Sequence, residues 1–153
     1  MERKFVVVKK YQDLSINIPH RQTSHSAGYD LESADNYTIK PQEIALISTG
    51  LKAYIPEGEV LLIISRSSLP RKLGLMIPNS IGVIDADYVD NPDNEGEIFI
   101  LVYNFTNHLV QILKGERLAQ GIFTTYLKTI PDHSYANKRV GGFGSSDQNK
   151  TKS

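Results

Sequence analysis

Five short stretches of this chain hold side chains that could do chemistry. Ser65-Arg66-Ser67-Ser68 joins the planar donor fork of a guanidinium to three hydroxyls. A helix start after it would turn free N–H groups outward, completing the parts of a phosphate cradle. A capped helix with a surface arginine uses the same four residues. Gly82-Val83-Ile84-Asp85-Ala86-Asp87-Tyr88 brings a carboxylate, Asp85, to the end of an apolar run. A carboxylate at the rim of a core can orient and deprotonate a water. Asp85 and Asp87 are equally ordinary turn formers, and Tyr88 an ordinary core residue. Arg139-Val140-Gly141-Gly142-Phe143-Gly144-Ser145-Ser146 sets glycines, whose N–H groups can approach phosphate closely, beside a cation and one aromatic plate. It lacks the Gly-Lys-Ser/Thr of a Walker A loop. A solvated low-complexity tail is the other reading.

Two further stretches are weaker. In Ala27-Gly28-Tyr29-Asp30-Leu31, Gly28 predicts a tight turn and Asp30 a carboxylate near a strand start. In Gly115-Glu116-Arg117-Leu118-Ala119-Gln120, Gln120 can donate to an anion, and a hairpin turn accounts for Gly-Glu equally well. Other chemistries lack their residues. His20, His25, His108 and His133 show no metal-ligand spacing. There is no Gly-x-Ser-x-Gly elbow and no strand followed by Gly-x-Gly-x-x-Gly. With no cysteine there is no disulfide, thiolate metal site or Cys nucleophile.

The elements that must position these residues read as short strands. Val6–Val8, Tyr37–Lys40, Ile44–Ser48, Val60–Ile64, Ile81–Ile84, Ile98–Tyr103, Val110–Leu113 and Ile122–Tyr126 are rich in β-branched and aromatic residues. Turn residues such as Lys40-Pro41, Pro56-Glu57-Gly58 and Lys114-Gly115 separate them. Residues 97–114 contain neither Gly nor Pro but lack a helical apolar stripe, and predict two strands joined by a turn. Only Ser67–Leu73 predicts a short helix, with Ser67 as its cap. An all-β sandwich or barrel follows. Val60-Leu61-Leu62-Ile63-Ile64 is apolar throughout, so one face has the core and the other is free for a neighbouring subunit.

The chain's 153 residues suit one domain, with no internal repeat or linker. Seventeen basic residues balance seventeen acidic ones, which excludes a sequence-blind binder of nucleic acid or anionic membrane. No segment nears the ~20 apolar residues of a membrane span. The apolar run Phe5–Val8 is too short for a signal peptide, so the expected location is the cytoplasm. After Pro131 large apolar groups become scarce, which predicts a mobile arm.

Taken together and in order, the five stretches resemble the five motifs of the trimeric deoxyuridine triphosphate nucleotidohydrolases (dUTPases). The likeness spans roughly residues 20–146. It implies a jelly-roll-type β-barrel over residues 1–137, a flexible Gly-rich arm over 138–153, and a homotrimer with active sites shared between subunits. The implied reaction is Mg²⁺-dependent hydrolysis of dUTP to dUMP and pyrophosphate, with Mg²⁺ held by the triphosphate and waters rather than by side chains. Asp85 matches the general base. Asn79 and the backbone of a Gly82–Asp85 hairpin (Gly82, Val83, Ile84) match the uracil-reading part, and Tyr88 the residue packed on the deoxyribose. Arg66, Ser67, Ser68 and Gln120 match phosphate contacts, and Asp30 a supporting carboxylate. Arg139 with Phe143, Gly144 and Ser145 matches a lid that stacks Phe143 on the base. The dCTP deaminases share the fold and Arg-Ser-Ser, but need a catalytic Glu and lack the Gly-Phe tail. A non-enzymatic nucleotide-binding barrel is the other rival, and the retained Asp85 argues against it. One departure stands beside the site: family members pass almost directly from the motif's Tyr to Gly-Glu, whereas here Val89–Glu95 intervenes.

Overall fold

The apolar runs separated by turn residues fold as strands. The structure, a computed structural model, describes residues 1–134 and 139. Within them lie β1 (Lys4–Val7), β2 (Tyr29–Glu32), β3 (Tyr37–Ile39), β4 (Ile44–Ser48), β5 (Leu51–Tyr54), β6 (Glu59–Ser65), β7 (Leu75–Met76), β8 (Gly82–Asp85), β9 (Phe99–Asn104), β10 (Val110–Ile112) and β11 (Arg117–Thr125). The sheets are β1-β5, β3-β10, β4-β9-β7 and β2-β11-β6-β8, with all pairings antiparallel. No consecutive strands pair among the described residues. The chain crosses between sheets at every connection, as in a jelly-roll-type fold. No helix among the described residues is long and apolar enough to cross a membrane.

Side-chain alternation places the core. Along β9, Ile100, Val102 and Asn104 point inward while their neighbours are half-buried. Ile100 and Val102 join Leu31, Ile47, Leu61, Leu75, Ile98 and Leu118 in an apolar cluster closed to solvent. Asn104 is fully buried, and its carboxamide nitrogen faces the carbonyls of Ile39, Lys40 and His108 at 3.1, 3.1 and 2.9 Å. Its Oδ1 accepts from the Thr106 N–H at 2.9 Å. This anchor explains the polar break within residues 97–114. The two expected strands form, but they diverge into different sheets instead of pairing with each other.

Four local expectations change. Gly82–Asp85 is one strand paired to β6, with no hairpin partner of its own. Gly115 (φ 84°) sits in a turn that carries the chain from β10 to β11, strands that do not pair. The helical turn is Leu69–Leu73, and Ser68 rather than Ser67 occupies its cap position, without a side-chain bond. Pro70 favours the first helical turn, and Gly74 (φ 67°) ends it by donating to the Leu69 and Pro70 carbonyls. Gly28 stands in no turn but on the residue before β2; its role is a close approach described below.

Candidate functional site

The four-stranded sheet positions the candidate residues on one face. Side chains directly opposite one another share a face, and residues two apart along a strand do too. Asp30, Gln120 and Ile64 are directly opposite across β2, β11 and β6. Ile122, Leu62 and Val83 form the next row on that face. Val60 and Asp85 follow. The face is therefore polar at two opposite corners and apolar between them, with Val83 59% exposed.

At one corner, β8 is the edge strand of its sheet, so one side of its backbone is unpaired in the sheet. Along that edge lies a cavity of about 400 Å³. Asn79, Gly82, Val83, Ile84, Asp85, Tyr88 and Arg139 all line it, as do Phe99 and Leu101 of β9. Gly82 is needed for the strand to lie close: a Cβ there would stand 3.0 Å from the Ile63 Cβ. Asp85 ends the strand with its side chain about half exposed. Arg139 donates through Nη2 to Asp85 Oδ2 and through Nε to Asp87 Oδ1 at 2.9 Å. Tyr88 is only 4% exposed. Its hydroxyl donates to the Glu97 carbonyl at 2.7 Å and accepts from Asn94 Nδ2 at 2.8 Å. Burial raises the Tyr88 pKa, and the bond from Asn94 opposes that rise only partly.

At the other corner, Asp30 is the hub of a basic cluster. Its carboxylate lies 3.1 Å from Arg66 Nε and 3.3 Å from Arg117 Nη1, and accepts from Gln22 Nε2 at 2.8 Å. An acid between two arginines ties each of them to the same point through one contact. Ser67 beside them is exposed and Ser68 half-buried, and neither side chain bonds to another described residue. Ser68, Arg66 and Arg117 also line a cavity of about 300 Å³ with Lys72. Gln120 lies beside Asp30, packed against Gly28: a Cβ at 28 would fall 2.2 Å from Gln120 Oε1.

One chain does not bring the two corners together. Asp85 pairs with Val60, and Arg66 lies six residues further along the chain, just past the end of β6, roughly 20 Å at about 3.3 Å per residue. Phe143, Gly144 and Ser145 lie outside the described residues. Sequence reasoning does not single out Arg117, although it stands in the Gly-Glu-Arg motif; its partner Asp30 is the available signal. The roles of Asn94 and Glu97 have no local signal, because they arise where residues 89–97 fold back on Tyr88.

An unpaired strand edge beside a cavity, a carboxylate at its end, and a separate arginine–hydroxyl cluster define an all-β fold of jelly-roll type with two distinct polar corners on one sheet. The comparisons with known proteins narrow this. The dUTPase family profile matches residues 15–147. A deoxyuridine 5′-triphosphate nucleotidohydrolase of Lactococcus lactis is 54% identical over 144 residues, covering 94% of this chain and 96% of the relative. The crystal structure of the dUTPase from Streptococcus mutans superposes with a TM-score of 0.79 at 46% identity, covering 82% of this chain and 98% of that one. A point mutant of the dUTPase from phage phi11 of Staphylococcus aureus is described as revealing the coordination of a structural Mg(II) ion; it is 25% identical, with a TM-score of 0.67 over 94% of this chain and 99% of that one. The chain belongs to the dUTPase family.

Proposed function

We infer that the protein hydrolyses dUTP to dUMP and pyrophosphate. The observation that carries this reading is Asp85 at the end of an open strand edge, facing a cavity of nucleoside size. The unpaired edge of β8, with Asn79, offers donors and acceptors that complement the edge of uracil. A strand edge fitted closely to uracil leaves little room for the methyl of thymine, and amide-pattern recognition mismatches the amino group of cytosine. Polar mismatches of this kind discriminate by about 10⁴–10⁵, a lone methyl by only about 10–200-fold unless it clashes. The ring of Tyr88 faces the sugar and excludes a 2′-hydroxyl.

In the step itself, Asp85 takes a proton from water as the water oxygen bonds to the α-phosphorus. The bond from that phosphorus to the bridging oxygen breaks, and pyrophosphate leaves with the bond's electron pair. Arg66, Ser67, Ser68 and Gln120 supply donors to the phosphates, with Asp30 holding Arg66 in orientation. The triphosphate also competes with Asp85 for Arg139, which frees the carboxylate to act as base. Phosphoryl transfer needs such positioning and charge neutralisation more than covalent help. Phe143, Gly144 and Ser145, with the rest of the arm 138–153 beyond the barrel 1–137, are assigned the covering of the base and phosphates.

Mg²⁺ fits this donor set as an ion that arrives on the substrate. The arginines, serines and Gln120 of the cradle offer N–H and O–H donors, which suit phosphate oxygens, and the acids Asp30 and Glu116 stand among them. Among the described residues no three His, Asp or Glu side chains converge as a metal site. Phosphate oxygens and waters are the usual Mg²⁺ ligands in such sites, and the ion supplies charge neutralisation on the triphosphate.

A homotrimer with shared sites accounts for the ~20 Å between the two corners along β6. The apolar band of Leu62, Val83 and Ile122 between them is the surface a second copy would cover. The cytoplasm is the compartment proposed for the reaction. The deciding experiment measures pyrophosphate release from dUTP, dCTP, dTTP and UTP side by side, with and without Mg²⁺. Pyrophosphate from dUTP alone supports the assignment; ammonia release from dCTP, or no turnover of dUTP with Mg²⁺ present, sinks it.

A further inference from the structure

The segment Val89–Glu95, which lengthens the path between Tyr88 and Gly96-Glu97, is folded tightly back on Tyr88. Asn91 Nδ2 donates to the Tyr88 carbonyl at 2.7 Å, and its Oδ1 accepts from the N–H groups of Asp93 and Asn94 at 3.0 and 3.1 Å. Asn94 Oδ1 accepts from Asn91 Nδ2 at 2.8 Å and from the Gly96 N–H at 3.0 Å. A backbone N–H can only donate, so this contact fixes which end of the Asn94 carboxamide is oxygen. The nitrogen end then points at the Tyr88 hydroxyl, 2.8 Å away. The hydroxyl spends its proton on the Glu97 carbonyl at 2.7 Å.

The segment is held from outside as well. Lys52 Nζ on β5 donates to Asp90 Oδ1 at 2.5 Å and Glu95 Oε1 at 2.7 Å. The Tyr54 hydroxyl donates to Asp90 Oδ2 at 2.7 Å, and the Lys9 N–H to Glu95 Oε2 at 3.0 Å. Asp90 (φ 56°) and Glu95 (φ 61°) adopt left-handed backbone that side chains ordinarily avoid. Gly96 (φ 81°) could be no other residue without displacement, since a Cβ there would stand 2.7 Å from the Val89 Cα and 2.8 Å from the Tyr88 carbonyl oxygen. So many restraints on a seven-residue loop leave its Asn94 carboxamide little freedom.

We propose that Asn94 is a positioning residue for sugar selection: by holding the Tyr88 hydroxyl against Glu97, it fixes the tilt of the ring that a ribose 2′-hydroxyl would strike. The hydroxyl's proton is committed within the protein, so Tyr88 has none to donate to the nucleotide and acts through its ring face. This gives the inserted segment a function, and it rests on the reading that Tyr88 packs on the deoxyribose.

The test compares kcat/KM for dUTP and UTP in the full-length enzyme and its variants, with thermal unfolding as a check on folding. Tyr88→Ala examines the underlying reading. Asn94→Asp keeps an oxygen for the Gly96 N–H but loses the donor to Tyr88; Asn94→Ala loses both. Loss of one such bond is expected to lower the dUTP-over-UTP preference about tenfold in Asn94→Asp and at least as much in Asn94→Ala. Tyr88→Phe removes the hydroxyl through which Asn94 acts, so adding Asn94→Asp to it should change the preference no further. If Tyr88→Ala relaxes the preference while both Asn94 variants keep it, the inference is overturned and the reading of Tyr88 survives. An Asn94→Asp effect as large with Tyr88→Phe as without it also overturns the inference, because the route through the hydroxyl is then wrong. Unchanged preference in Tyr88→Ala removes the reading and the inference with it.

Discussion

Gly28 and Gln120 share a space that only a missing side chain leaves open: a Cβ at position 28 would stand 2.2 Å from Gln120 Oε1 and 3.0 Å from the Gln120 Cβ. Backbone conformation imposes no such demand, since Gly28 is outside the left-handed region. Gly28→Ala must therefore push the Gln120 carboxamide off the face it shares with Asp30. A hydrogen bond to a charged group contributes on the order of 1.5–3 kcal/mol, so kcat/KM for dUTP should fall roughly 10- to 100-fold. Gln120→Ala should cost about the same, and the double variant little more than either. Additive losses in steady-state kinetics would show that Gly28 acts elsewhere.

Asp85→Asn removes the base and keeps the shape of the strand end. The expected loss in kcat is on the order of 10²–10⁴, while affinity for a non-hydrolysable dUTP analogue persists. Arg139 loses one of its two carboxylate partners and keeps Asp87, so analogue affinity should hold or rise. Calorimetric titration with single-turnover kinetics separates the two quantities. Near-normal turnover would take Asp85 out of the chemistry.

How far the sequence can be read depends on whether a signal is local. Ile44–Ser48 appears with the same bounds, and Val60–Ile64 lies inside β6, because β-branched and apolar runs declare themselves. Leu51–Tyr54 is not legible: Lys52 breaks its apolar pattern, and its buried ammonium is tolerated only because Asp90 and Glu95 reach it from 38 and 43 residues away. The first half of β11 is hidden in the same way by Arg117, Gln120 and Gly121, although the strand is central and flanked on both sides. Gly121 is small for a reason no window reveals, since a Cβ there would lie 3.0 Å from Leu61 Cδ1. Motif residues are legible by type, but their division between two corners follows from the β6–β8 register, a tertiary fact.

The ionic clasp on the Val89–Glu95 segment should make its contribution to stability depend on pH. Burial works against the Lys52 charge, but the bonds to Asp90 and Glu95 outweigh it and hold its pKa above the ordinary 10.5. Bonding to Lys52 pulls Asp90 and Glu95 below their ordinary 3.8 and 4.5. For the two acids the unfolded chain binds more protons near pH 4, so their contribution is full above about pH 5 and fades as pH falls through their lowered folded values. For Lys52 it is full below the ordinary value and fades only as pH rises through the raised one. Asp90→Asn with Glu95→Gln should lower Tm by a few degrees at pH 7. The gap to the unaltered protein should narrow at pH 3. Melting curves showing an equal gap at both pH values would mean the clasp contributes no pH-linked stability.

Because Arg66 lies roughly 20 Å along the chain from Val60, the β6 partner of Asp85, a shared site makes a prediction that a self-contained one does not. Asp85→Asn chains and Arg66→Ala chains should each form nearly inactive assemblies. Chains of the two kinds, unfolded together and refolded as a mixture, should regain turnover, because a site can draw Asp85 from one chain and Arg66 from another. Random assembly at equal amounts leaves about a quarter of such sites intact. Pyrophosphate release from the mixture, measured against each parent refolded alone, gives the recovery directly. If both residues of a site came from one chain, every site would carry one lesion, and mixing would restore nothing.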